Sequence, residues 1–148
     1  MNTWPSNSAF IAYAITCLLL CANLLILWGY SGAARGKIKT SLNEEDVVMF
    51  GGSLVEIDPP PVARILRAHS NANASIYPFL LVGLIYLLAG GTAGTAVALF
   101  GIFTIARLLH SFAYLKAKQP WRTIFFVIGL LATVVLMLNT IWLLVRTA

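Results

Sequence analysis

Four long apolar stretches, separated by short polar segments, dominate the pattern of the chain. The first contains no Asp, Glu, Lys or Arg before residue 35. A helix that crosses the hydrocarbon core of a bilayer needs about 20 apolar residues, and each stretch is long enough. The pattern therefore predicts an all-α fold. We expect an integral membrane four-helix bundle in one domain over residues 1–148, with helices at about 9–30, 62–88, 95–117 and 121–145.

Composition favours a membrane protein over a soluble one. Of the 148 residues, 59% are hydrophobic and 10% are charged, whereas soluble domains carry about 25% charged residues. The net charge of +5 does not indicate nucleic-acid binding, because the basic residues flank the apolar stretches. The N-terminus lacks the basic start of a signal peptide, so the first helix is expected to be retained. We interpret Cys17 and Cys21 as packing residues and expect no metal site.

The segments 31–61 and 118–120 are predicted to be cytoplasmic loops. The basic residues in or beside them are Arg35, Lys37, Lys39, Arg64, Lys116, Lys118 and Arg122, while the opposite side has only Arg146. The positive-inside rule then places both termini away from the cytoplasm, in a bacterial inner membrane or the endoplasmic reticulum. The longer loop has a capping-box pattern from Ser41 to Glu44 that allows one short helical turn.

Two of the predicted helices carry polar stripes that membrane anchoring does not require. The stripes, spaced by three and four residues, are Arg64, Arg67 and Asn71 in the second helix and Arg107, His110 and Tyr114 in the third. Arg107 precedes Lys116 by nine residues, which is about 13 Å at about 1.5 Å per residue. A charge at that depth costs several kcal/mol unless it is paired or hydrated.

Arg107 therefore predicts a cavity between helices; the alternative is that it ties helices together by bonding backbone carbonyls. Arg64 lies near the loop and is more simply explained by reaching the headgroups. Arg122 and Thr123 open the fourth helix just across the short loop. The cationic groups are thus predicted to converge on one membrane-facing pocket, and converging cations favour an anionic ligand.

These segments resemble a known family. Three segments are similar to motifs of the MAPEG family, the membrane-associated proteins in eicosanoid and glutathione metabolism. They are the run from Asp58 through Arg64-Ile-Leu-Arg-Ala-His-Ser-Asn71 to Phe79, the later Arg107-to-Tyr114 segment, and the pair Arg122-Thr123. The likeness is greatest to its microsomal prostaglandin E synthase branch and extends from about residue 35 to 123. It implies a homotrimer of four-helix subunits that binds glutathione between subunits near the cytoplasmic face.

The resemblance also implies roles for individual residues. Arg122 and Thr123 would sit near the glutathione thiol as catalytic groups, with Asp46 holding Arg122. Arg35 would meet a glutathione carboxylate, while the residues that hydrogen-bond the peptide or support the site would be Arg67, Asn71, Arg107, His110 and Tyr114. Where the family has a second basic residue and a Glu, this chain has Ser70 and Ala74. Losing the ion pair of that Glu is expected to weaken glutathione binding by about one to two orders of magnitude.

The expected activity is that of a glutathione-dependent transferase, peroxidase or isomerase acting on lipophilic electrophiles. A guanidinium beside the sulfur would favour the thiolate, and Arg122 is the candidate. The alternative is a non-catalytic membrane protein of the same fold, whose cationic pocket binds membrane lipid or another anion. A channel or transporter is less favoured, because the first and fourth apolar stretches supply no ionisable residue to continue a polar path across the opposite leaflet.

Overall fold

A computed structural model describes residues 8–147; the N-terminal residues on which the signal-peptide argument rests lie outside this range. The elements, in chain order, are helix α1 (Ser8–Ile38), strand β1 (Thr40–Ser41), helix α2 (Glu44–Phe50), strand β2 (Ser53–Leu54), and helices α3 (Pro60–Leu88), α4 (Ala93–Leu115) and α5 (Trp121–Thr147). The four long helices are all apolar enough to cross a membrane. The fold is therefore the all-α four-helix membrane bundle that the sequence predicts.

Helix α1 continues to Ile38, eight residues beyond the predicted end at residue 30. The predicted loop therefore begins too early. Arg35 and Lys37 lie in the last turn of α1, where cationic side chains interact favourably with the negative end of the helix dipole. Polar composition alone thus did not mark the end of the helix.

The connection from residue 39 to 59 is folded rather than irregular. Its two short strands pair in parallel, with Thr40 opposite Ser53, and helix α2 lies between them. The cap of α2 is Asn43, which makes no side-chain capping bond, so the capping box predicted from Ser41 is not formed. Gly52 has a φ of +108°, and a Cβ there would lie 2.5 Å from the carbonyl oxygen of Lys39. Only glycine fits this turn without strain.

Helices α1, α3 and α4 pack on one another, and α5 packs on α3 and α4. Aromatic rings fill the core between α3 and α4: Phe79 stacks on Phe103 with centroids 3.6 Å apart. Buried polar side chains join α1 to α4, as Asn23 Nδ2 donates to Ser111 Oγ at 3.1 Å. Such bonds hold helices together in lipid, where the hydrophobic effect does not drive helix association.

The outer surface of the bundle is apolar. Leu18 and Leu25 on α1 are 72% and 65% exposed, and Leu138 on α5 is 61% exposed. Cys21 is exposed and Cys17 is half-buried, and both are free thiols. Cys21 therefore faces outward instead of packing within the subunit. An apolar exterior of this extent is compatible with a lipid environment or a neighbouring subunit and not with water.

Candidate anion-binding cavity

Arg107 is the most buried cation of the described residues, with an exposed fraction of 1%. Its Nη1 donates to Asn71 Oδ1 at 3.4 Å and to Ser75 Oγ. The guanidinium carbon also lies 5.9 and 5.5 Å from the ring centroids of Phe103 and Phe126. All these partners are uncharged, and no ion pair with Arg107 forms within residues 8–147. The charge is solvated by side chains but not neutralised.

A cavity of about 360 Å³ adjoins Arg107 between α3, α4 and α5. Its lining residues are Asn71, Ala74, Ser75, Pro78, Phe103, Arg107, Phe126, Gly129, Leu130 and Thr133. The structure thus has the cavity predicted beside Arg107. Within the described residues, its guanidinium donates to the side-chain oxygens of Asn71 and Ser75 rather than to backbone carbonyls.

The cavity wall offers polar groups that lack partners. Arg107 Nε is buried with no hydrogen-bond partner in the described part of the chain, and such orphaned buried donors are rare. Pro78 has no N–H, so the carbonyl of Ala74, one turn earlier in α3, lacks its usual helical donor. Gly129 makes room for the guanidinium, because a Cβ there would lie 3.1 Å from Arg107 Nε. Arg107 Nε can therefore donate a hydrogen bond to an anionic guest.

A second group of site residues lies closer to the charged end of the bundle. His110 is buried, and its ring meets Tyr114 edge-on with centroids 5.7 Å apart. It also contacts Phe126 of α5 at 6.1 Å between centroids. Arg122, in the first turn of α5, lies over the Tyr114 ring at 4.8 Å. These contacts bring His110, Tyr114 and Arg122 together across the interface between α4 and α5.

Gln119 fixes the direction of Arg122. Its amide oxygen accepts from Arg122 Nε at 3.2 Å and Nη2 at 2.7 Å, and its amide nitrogen lies 3.1 Å from Thr123 Oγ1. The opposite orientation would place the amide donors against the guanidinium donors, so this orientation is the one that satisfies both groups. Thr123 itself is exposed. Gln119 therefore links the two predicted catalytic residues.

The remaining predicted residues lie elsewhere in the subunit. Arg35 pairs with Asp58 through two bonds, from Nε at 2.7 Å and from Nη2 at 2.8 Å. This guanidinium lowers the pKa of the Asp58 carboxyl. Asp46 accepts from Asn43 at 3.1 Å, and within residues 8–147 of one subunit it forms no ion pair with Arg122. Arg67 is exposed on α3. Within residues 8–147, a single chain therefore does not bring every predicted group to one pocket.

Three residues with direct roles in these contacts were missing from the sequence prediction. Ser75 follows Asn71 by four residues on α3, and Phe126 follows Arg122 by four on α5, so the helical repeat already placed each beside a predicted residue. Gln119 falls within the segment 118–120, which the sequence predicts only as a loop. Its contact with Arg122 depends on the conformation of residues 116–120, which no periodicity indicates.

Comparison with known proteins finds relatives along most of the chain. The family model described as MAPEG family matches residues 13–142. The chain is 33% identical to prostaglandin E synthase of Equus caballus over 144 residues, covering 93% of this chain and 94% of that protein. It is 33% identical to the Homo sapiens prostaglandin E synthase over 145 residues, which cover 93% of this chain and 95% of that protein. It is also 33% identical to Homo sapiens microsomal glutathione S-transferase 1 over 129 residues, which cover 83% of each chain.

The fold and the cavity define a multi-pass α-helical membrane protein with a buried cationic site. The match along most of the chain identifies its family: this protein belongs to the MAPEG family.

Proposed function

We propose that this protein is a glutathione-dependent membrane enzyme, a transferase, peroxidase or isomerase, that acts on lipophilic electrophiles. The observation that carries the proposal is the unneutralised Arg107 beside a cavity of about 360 Å³. The similarity of this chain to proteins named prostaglandin E synthase and microsomal glutathione S-transferase 1 supports glutathione as the anionic guest. The active form is proposed to be a homotrimer of single-domain subunits, with the residue 39–59 and 116–120 connections facing the cytoplasm.

Binding would use the polar groups around the cavity. Asn71, His110 and Tyr114 are proposed to hydrogen-bond the glutathione peptide. Arg107 is proposed to supply positive charge from the cavity wall. Arg35 is proposed to bind a glutathione carboxylate, which would have to compete with Asp58 for the same guanidinium. Asp46 is proposed to hold Arg122 across a subunit interface, because within one subunit its partner is Asn43.

The chemistry requires a thiolate, whereas a free thiol with a pKa near 8.5 is mostly protonated at neutral pH. We propose that Arg122 lies beside the sulfur and lowers the thiol pKa by stabilising the anion. Gln119 and the Tyr114 ring orient that guanidinium. The thiolate then attacks an electrophilic substrate that enters from the bilayer, and Thr123 donates a hydrogen bond to sulfur or to a developing oxyanion.

The second candidate is a non-catalytic protein that binds lipid or another anion in the same cavity. Ala74 favours it, because it lines the cavity at the position where the family pattern has a glutamate. Without that carboxylate, the described lining residues include no anionic partner for the amine of glutathione. Calorimetric titration separates the two candidates: micromolar glutathione binding supports the enzyme, and millimolar or absent binding supports the alternative.

The test of catalysis compares two arginines at opposite ends of α5. Arg122 lies over Tyr114 and Arg146 lies over Trp142, 4.3 Å from its centroid. Arg122→Gln should lower glutathione-dependent turnover of an aromatic halide or a lipid hydroperoxide by about 10- to 1,000-fold, since a nearby opposite charge shifts a pKa by about 1 to 3 units. Arg146→Gln should leave turnover unchanged. Loss of thiolate absorbance in Arg122→Gln alone would support the role, whereas equal turnover in both variants would refute it.

A further inference from the structure

A second cavity lies at the charged end of the bundle and shares no lining residue with the Arg107 cavity. It has a volume of about 720 Å³ between the end of α1, the start of α3 and the last residue of α4. The lining residues are Tyr30, Ala33, Ala34, Lys37, Ile38, Pro60, Pro61, Arg64, Ile65 and Leu115. The volume is within the range of about 300 to 1,000 Å³ that is usual for small-molecule sites.

Two cations from different helices meet at this cavity. Lys37 comes from the last turn of α1, and Arg64 comes from the first turns of α3. Within residues 8–147, neither forms an ion pair or a side-chain hydrogen bond, and the one salt bridge there joins Arg35 to Asp58. Among the residues that the structure describes, no carboxylate lines the cavity. The cavity therefore carries two unneutralised positive charges and attracts an anion.

Apart from the hydroxyl of Tyr30, the rest of the wall is apolar. Ala33, Ala34 and Ile38 of α1 face Ile65 of α3 and Leu115 of α4 around the same space. A small hydrated anion gains nothing from such a surface, whereas a molecule with an anionic head and hydrocarbon chains fits both parts. Helix α3 starts with Pro60 and Pro61, which have no N–H to donate. Lys37 and Arg64 therefore supply the positive charge that recognises the anionic head.

The position of the cavity matches the depth of a lipid headgroup. It lies where the apolar helices α1 and α3 join the polar 39–59 connection, and Lys37 is exposed while Arg64 is half-buried. Cations at this level of a membrane protein attract anionic lipids at about 1 kcal/mol each, or about fivefold in affinity. We propose that this cavity is a binding site for an anionic phospholipid, with the phosphate between Lys37 and Arg64 and the acyl chains along the apolar wall.

The test measures thermal stability and bound lipid in the full chain, purified in neutral detergent. Phosphatidylglycerol should raise Tm and remain bound in native mass spectra, while phosphatidylcholine should do so about five- to 25-fold less well. The double variant Lys37→Gln/Arg64→Gln should lose this preference. Lys116→Gln, which removes a cation from the same end of the bundle outside the cavity lining, should retain it.

Further arms identify the source of the anion and guard against misfolding. Inorganic phosphate alone should not raise Tm; if it does so as well as phosphatidylglycerol, the lipid assignment is wrong. Ala34→Phe narrows the cavity without changing charge, and it should abolish the phosphatidylglycerol effect while the lipid-free Tm is kept. Equal responses to the two phospholipids in the unmodified chain, or an equal loss in Lys116→Gln, would overturn the proposal.

Discussion

The contacts of Arg107 allow its ligand role to be separated from a purely structural one. Ser75→Ala removes an oxygen that accepts from its Nη1 and leaves only Asn71 at 3.4 Å. The guanidinium stays buried with its Nε already unpartnered. Removing one partner of a buried charged group costs about 1 to 3 kcal/mol. At about 3 °C per kcal/mol for a chain of this size, Tm should fall by about 3 to 9 °C.

Arg107→Met should behave differently. Replacing a buried charge with an apolar side chain of similar length is often neutral or stabilising, and a thioether packs well between rings such as Phe103 and Phe126. We therefore expect Tm to stay the same or to rise, while calorimetry shows that glutathione binding is lost. In the double variant Arg107→Met/Ser75→Ala, the cost of the serine change should shrink to below about 0.5 kcal/mol, because no charge remains to be satisfied.

A hydroxyl elsewhere in the same cavity provides the control. Thr133 lines the cavity, but its Oγ1 donates to the Gly129 carbonyl of its own helix at 2.9 Å. Thr133→Val should change Tm by less than Ser75→Ala does. If Arg107→Met lowers Tm more than Ser75→Ala and the two changes are additive, Arg107 is a structural tie between helices, and the reasoning from an unneutralised charge fails.

Three further predictions concern the cavity wall and the 39–59 connection. Ala74→Glu should tighten glutathione binding by about tenfold in calorimetry by restoring a partner for its amine, whereas Ala74→Gln should not. The pKa of Asp58 lies below the ordinary carboxyl value of 3.8, so its ion pair should be complete above about pH 5 and lost as pH falls through the lowered pKa. A spin label on the connection should gain mobility only in that acid range, and Asp58→Asn should make it mobile at every pH. Gly52→Ala should lower the free energy of unfolding by about 1 to 3 kcal/mol through backbone strain. Gly36→Ala, at a helical position with open space around it, should raise that free energy slightly.

The assignment of Arg122 and Thr123 as catalytic residues stays a prediction. His110, Tyr114 and Arg122 lie together as the sequence spacing indicated, but Arg35 is engaged with Asp58. Arg67 is exposed on the subunit surface. We propose that these residues act at a site shared between subunits of the proposed homotrimer.

The sequence by itself determined the four long helices and their membrane environment, because long apolar runs satisfy their backbone hydrogen bonds internally only as helices in lipid. It also indicated that Arg107 lies beside a cavity, since depth follows directly from the distance to the charged helix end. The motif spacing was sufficient to indicate the family. These features depend on residues within one helix or on local composition.

Only the tertiary structure decided which polar groups are partners. Arg107 meets Asn71 and Ser75 across separations of 36 and 32 residues, and that contact depends on how α3 and α4 rotate about their axes. Arg64 and Asn71 share one face of α3, but the same packing places them in the walls of two different cavities. A helical repeat fixes the face on which a side chain lies, but the neighbouring helices decide what that face meets.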